Sequence, residues 1–183
     1  MSEMLDALEQ IIARSYRIFP DNNNLLTIRE DKNNSGNSSL GSYVSFKKTG
    51  RIFSFTLDID NSNPFPYFSE RTGLKGKNDA IIFAEKDGKI FILLLELKSK
   101  NLSTSMKQLR SGENFVQFIV KTIELHFKGA INEQLEFRYL LFTTRKIPKK
   151  RTARLIINYH DNKGKKVAEE DSNRAYALVD FLK

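Results

Sequence analysis

The sequence predicts an α/β fold with a mixed sheet, and three features carry that expectation. An Asp-Gly pair, Asp87-Gly88, separates two apolar runs, Ala80 to Ala84 and Ile90 to Leu95. A long stretch from Ser103 to Phe127 places Leu109, Val116, Ile119, Val120, Ile123 and Phe127 at helical spacing. A third apolar run, Phe137 to Phe142, comes next. Strand, helix and strand in that order form a βαβ unit, so the strands flanking the helix should be parallel and joined by a right-handed crossover.

The elements read in order as follows. Glu3 to Tyr16 carries Met4, Leu5, Leu8, Ile11, Ile12 and Tyr16 at helical spacing, with Ser2 placed to cap it. Pro20 and the Asn22-Asn23-Asn24 run end that helix. Leu25 to Arg29 reads as a short strand. Residues 31–42 are rich in Asn, Ser and Gly and read as a mobile loop. Tyr43 to Lys47 and Arg51 to Ile59 read as a hairpin turning near Thr49-Gly50. Asn61 to Lys77 holds Pro64, Pro66, Gly73 and Gly76 and reads as irregular. The hairpin from Asp79 to Lys98, the helix from Ser103 and a strand from Glu136 to Thr143 follow. Arg154 to Tyr159 is a weaker strand, and Ala175 to Leu182 a short terminal element of either type. Neither an internal repeat nor a linker divides residues 1–183, which read as one domain.

The hairpin carries the chemistry. Asp-Gly favours a two-residue loop, because both residues tolerate positive φ. On that loop, residues whose numbers sum to 175 pair, and Asp79 falls opposite Glu96. A three-residue loop with a bulge would instead pair Asp79 with Leu95. Glu96 and Lys98 are two apart and share one face of their strand. Directly opposed carboxylates repel, and one pKa rises unless a cation sits between them. A divalent ion bound by oxygens removes the conflict, and magnesium needs only one or two carboxylates plus water and substrate phosphate. The same residues also fit a solvated hairpin end with an ordinary Glu-Lys surface pair.

Asn78-Asp79, a strand, a turn and a second strand ending in Glu96-Leu97-Lys98 together resemble the PD-(D/E)XK nuclease superfamily. Asn78 stands where that family often has Pro. The resemblance covers roughly residues 50–145. It implies a restriction-endonuclease-like αβββαβ core, a mixed central sheet flanked by helices. It also implies Mg2+ or Mn2+ held by Asp79, Glu96 and the backbone carbonyl of Leu97, whose side chain would face the core. Lys98 would orient or deprotonate the attacking water, or offset developing negative charge. Glu9 of the first helix matches a Glu that the family often adds, with Glu70 as its rival. Gln108, ten residues after Lys98, resembles a polar residue placed beside the site in some members. Glu9 and Gln108 equally fit solvated helix positions.

Charge points to the partner. The net charge is +8, and residues 145–166 account for all of it. They hold nine basic side chains, Arg145, Lys146, Lys149, Lys150, Arg151, Arg154, Lys163, Lys165 and Lys166, against one acid, Asp161. Such a stripe suits a polyphosphate backbone, though it also fits a solvated loop. Lys100, Lys107 and Arg110, at the entrance of the long helix, are further candidates for phosphate contact. No separate reading module is evident, so base-specific recognition is not indicated.

The chain has no cysteine, which excludes disulfides, zinc-thiolate sites and iron–sulfur clusters. His126 and His160 lack metal-ligand spacing. Met1 to Arg17 is acidic and amphipathic rather than a leader, and the longest apolar run is far short of a membrane span. The expected setting is cytoplasmic, without membrane contact. The expected function is a metal-dependent endonuclease acting on DNA rather than RNA, in restriction, mobile-element or defence processes. Cleavage is expected to be structure-dependent or non-specific, or to take its specificity from a homodimer or a partner protein. The alternatives are a non-catalytic nucleic-acid-binding module of the same fold and an interaction protein with an incidental Glu-Leu-Lys.

Overall fold

The computed structural model describes residues 2–29, 42–59, 65–69, 75–98, 104–144 and 156–183. Helix α1, Glu3–Ile11, buries Met4, Leu5, Ala7 and Leu8 and places Glu3 and Asp6 in its first turn, where carboxylates suit the helix dipole. Ser2 occupies the N-cap position, but its side chain makes no capping bond. The helix ends earlier than the spacing predicts. Ile12 is extended, and only a short 3-10 turn, Arg14–Tyr16, continues the pattern. The Arg17 guanidinium explains the stop. It donates to the Ile12 carbonyl at 2.9 and 2.8 Å and to that of Glu9, taking acceptors left open at the helix end.

Strands β1 (Leu25–Arg29) and β2 (Tyr43–Lys47) pair antiparallel. Strand β3 (Ile52–Phe55) does not pair with β2, so the hairpin expected near Thr49-Gly50 is absent. The two strands serve different cores. Val44 and Phe46 of β2 pack with Leu26 and Ile28, whereas Phe53 and Phe55 of β3 pack with Ile81 and Phe83. Gly50, at φ +74°, lies in the passage between the sheets.

Strands β4 (Ala80–Lys86) and β5 (Lys89–Lys98) form the central hairpin. Helix α2 (Ser105–His126) leads to β6 (Gln134–Thr143), which runs parallel to β5 as the βαβ reading requires. Strands β7 (His160–Asp161) and β8 (Lys166–Asp171) follow, with β8 parallel to β6. The main sheet has the order β3-β4-β5-β6-β8-β7. Strand β9 (Arg174–Ala177) joins β2 in the small sheet, and a 3-10 turn, Leu178–Phe181, packs behind it.

Two cores result. On one face of the main sheet, α1 and α2 bring Met4, Leu5, Leu8, Leu109, Val116, Ile119 and Ile123 against Ile90, Ile92 and Leu94. On the other face the small sheet, not a helix, covers Phe91, Leu93, Leu95 and Leu97. The expected α/β fold with a mixed sheet is present; among the described residues the flanking helices lie on one side of that sheet and a second sheet on the other. β5 is buried on both faces, and each such Leu or Ile contributes about 1.5–3 kcal/mol of transfer free energy.

The strand expected at Arg154–Tyr159 is not formed by its described part. Ile157 is buried and Tyr159 donates its hydroxyl to the Phe181 carbonyl at 2.8 Å, but neither joins a ladder. The expected loop over 31–42 lies outside the described residues except for Ser42.

Candidate functional site

Asp87 and Gly88 take φ of +51° and +71°, which gives the two-residue loop that Asp-Gly favours. Lys86 pairs with Lys89, and the ladder runs to Ala80 opposite Leu95. Continued one step, that register would set Asp79 across from Glu96, but the ladder ends at Ala80 and Leu95. Alternation puts Glu96 on the helix-covered face with Ile90, Ile92 and Leu94, while Leu97 points into the inter-sheet core.

At Asp79 the ladder changes character. Bonded pairs alternate along an antiparallel hairpin, so after Ala80 and Leu95 the next would be Asn78 and Leu97. The Leu97 amide instead donates to the Asp79 carboxylate at 2.5 Å, and the Asp79 amide donates to the Leu95 carbonyl at 3.1 Å. Asn78 is almost fully buried, and its Nδ2 donates to the Ala80 carbonyl at 2.6 Å. The main chain thus leaves the ladder at Asp79, whose carboxylate takes the Leu97 amide while Asn78 bonds back to its own strand.

Glu96 is fully buried, and Lys98 Nζ lies 2.6 Å from its Oε1. Lys98 therefore offsets the Glu96 charge, so the carboxylate pair has a cation from its own chain. Lys98 registers with Thr143 of β6, and Thr143 with Asp171 of β8. These residues end three parallel strands, the edge where open α/β sheets offer a crevice for ligands.

The long helix docks its first turns at the same end. Gln108 Nε2 donates to the Lys77 carbonyl at 3.1 Å, while Thr104 Oγ1 bonds its Oε1 at 3.3 Å. Gln108 is thereby brought to the backbone just ahead of Asp79. Lys107 and Arg110 of the same turns are exposed. Arg110 also lies close enough to the Tyr139 hydroxyl to oppose the rise of its pKa.

Glu9 is not brought to this end. It is exposed and lines a groove with Arg17, Phe19, Lys48 and Ile52. Ile52 pairs with Ala84, five residues from Asp79 along β4, roughly 17 Å at 3.3 Å per residue. Glu70, Lys100, Arg145, Lys146, Lys149, Lys150, Arg151 and Arg154 lie outside the described residues. Among the described residues, no group of three or more His, Cys, Asp or Glu side chains is placed to hold a metal ion.

Sequence reasoning missed a polar cluster beside the site. Lys165, counted in the basic stripe, places Nζ 2.8 and 2.7 Å from the Glu113 carboxylate of α2 and 3.0 Å from the Tyr139 hydroxyl of β6. Burial, and then the hydrogen bond to Glu113, push the Tyr139 phenol well above its usual range. Lys166 stands 4.0 Å from Glu136. Tyr139 sits opposite Leu94, two residues from Glu96 on the same face. The odd spacing of Glu113, Tyr139 and Lys165 gives no local signal, since they lie on α2, on β6 and just before β8.

Comparison with known proteins found no matching family model, no matching curated protein and no matching solved structure. No helix of the described residues is long and apolar enough to cross a membrane.

Proposed function

We propose that this chain is a metal-dependent nuclease that hydrolyses phosphodiester bonds in DNA, with Asp79, Glu96 and Lys98 at its centre. One observation carries the reading. Asp79, just before β4, holds the Leu97 amide with its carboxylate, and the next residue back along β5, Glu96, carries Lys98 at 2.6 Å. The order α1, β3, β4, β5, α2, β6 along the chain supports a PD-(D/E)XK core, with β1 and β2 inserted after α1.

The donor set suits a hard cation. Asp79 and Glu96 offer carboxylate oxygens. The Leu97 amide points to the Asp79 side of β5, and the carbonyl of the same residue points that way too. Two carboxylates with a carbonyl and water are sufficient for Mg2+ or Mn2+. When bound, such an ion supplies a Lewis acid for the scissile phosphate and a more acidic water. The chain's own part is to hold and orient. Lys98 would leave Glu96 for the attacking water or for the charge that develops on the phosphate. Gln108 would keep the segment ahead of Asp79 in place. Lys107 and Arg110, together with Lys100 and the basic residues 145–154, would bind backbone phosphates without reading bases.

A non-catalytic nucleic-acid-binding module is the second reading. The Glu96–Lys98 ion pair favours it, because a pair neutralised within the protein needs no ion. A substrate panel separates the two. Plasmid, linear, branched and single-stranded DNA, with matching RNA, would be incubated with Mg2+, with Mn2+ and with excess chelator. The nuclease reading expects cleavage only with a divalent ion. Binding without cleavage under every condition would favour the module. A cytoplasmic setting, a role in restriction, mobile-element or defence processes, and assembly as a homodimer or with a specificity partner belong to the same proposal.

A further inference from the structure

Two local irregularities meet beside Asp79. Gly112 lies in the interior of α2, where glycine is a poorer helix former than alanine. A Cβ built there would fall 2.5 Å from Asn78 Oδ1 and 2.8 Å from its Cγ. The Asn78 amide cannot be turned round to relieve this. Its Nδ2 faces the Ala80 carbonyl at 2.6 Å, and a second acceptor there would repel. Oδ1 is therefore directed at Gly112, where it is buried with no hydrogen-bond partner among the described residues. A helix glycine and an unmatched buried acceptor each cost stability, and locally unfavourable choices concentrate where function fixes geometry.

We propose that Asn78, wedged against Gly112, is the positioning residue that turns the chain out of the ladder and delivers the Asp79 carboxylate to the Leu97 amide. Without the wedge, Asn78 would extend the ladder and its own carbonyl would take that amide, leaving Asp79 unanchored. Gln108 braces the same segment through the Lys77 carbonyl. The metal role of Asp79 rests on the nuclease reading. The positioning by Asn78 does not.

The test uses the full chain and two readouts, hydrogen exchange at the Leu97 amide without metal and binding of Mn2+ alone. Gly112→Ala should speed Leu97 exchange about five- to tenfold, the worth of one net hydrogen bond. Amides in the middle of β5 should be unaffected. Asn78→Ala leaves the helix untouched and should give the same exchange change, so the proposal stays testable if Gly112→Ala folds poorly. In the Asn78→Ala background, Gly112→Ala should add no further exchange and should raise Tm through helix propensity. Mn2+ affinity should fall in both single variants while α2 amides stay protected. Unchanged Leu97 exchange in both variants would overturn the proposal. Faster Leu97 exchange in a protein that never binds Mn2+ would support the positioning and defeat the metal reading alone.

Discussion

The Asp79 carboxylate completes the β4–β5 ladder by accepting the Leu97 amide hydrogen at 2.5 Å. A side chain stands where a backbone carbonyl would otherwise be, one step beyond the last regular pair, Ala80 and Leu95. The same contact ties the carboxylate to the residue that follows Glu96. Opposed charges at this end are therefore compensated twice, by the Leu97 amide for Asp79 and by Lys98 for Glu96. Simple repulsion between two bare carboxylates does not describe the metal-free protein.

Lys98 should matter for stability as well as for turnover. Removing one partner of a buried ion pair costs up to about 3–5 kcal/mol. That figure is an upper bound here, because Lys98 keeps 20% of its side chain exposed. Lys98→Met should lower the Tm of the metal-free protein, and Glu96→Gln with Lys98→Met should recover most of the loss. A thermal-melt double-mutant cycle measures this. Additive losses would mean that the pair is not coupled. In cleavage assays Lys98→Ala should lose about 10²–10⁴-fold in turnover if Lys98 handles a proton. Its DNA affinity should stay near wild type, since Lys98 is one charge among many.

Neutralising Lys149, Lys150 and Arg151 together should do the reverse. DNA binding should weaken across sequences, and the salt slope should fall by up to about 2.7, at about 0.9 per phosphate contact. Titrations of a labelled duplex at several salt concentrations provide the check. Wild-type affinity and slope in the triple variant would make these residues ordinary solvated surface.

Extremes of pH should act through Tyr139, Tyr159 and Tyr176. Burial is the largest cause that raises each phenol above the ordinary value of 10.0. A folded-state pKa above the unfolded one adds stability that is complete below pH 10 and declines as pH rises past it. Tyr139→Phe should therefore flatten the alkaline fall in Tm. Glu136 works in the opposite direction. The Arg138 guanidinium holds it below the usual 4.5, so its contribution is present above that value and is lost as pH falls through its folded pKa. Glu136→Gln should lessen the acid-side fall. Melting profiles from acid to alkaline pH test both, and parallel curves for wild type and variants would refute them.

The hairpin register was legible because Asp87-Gly88 fixes the loop chemistry locally. The parallel β5–β6 pair was legible because a long amphipathic helix joins two apolar strands. Partner choice among strands was not. Tyr43–Lys47 and Ile52–Phe55 look like a hairpin around Gly50, and only tertiary packing sends them to separate sheets. β8 was hidden by its composition: Val167 and Ala168 are its only apolar residues, yet they reach opposite cores. In the site, Asp79, Glu96 and Lys98 came from the loop register and period-two alternation on one hairpin, and Leu97 from the resemblance. Gln108 came from the resemblance. The contact between Asn78 and Gly112 and the ion pair between Glu113 and Lys165 join distant segments, and Glu9 was assigned without knowledge of which end of the sheet α1 covers.

The most direct measurement is Mn2+ binding by calorimetry, run beside DNA cleavage, for wild type, Asp79→Asn and Glu96→Gln. The account predicts that wild type binds the ion and cuts DNA. Each variant should bind at least about tenfold more weakly, a difference of about 1.4 kcal/mol, and cleavage should be lost in both. Variants that bind Mn2+ and cut DNA like wild type would contradict the assignment of Asp79 and Glu96 as the metal centre.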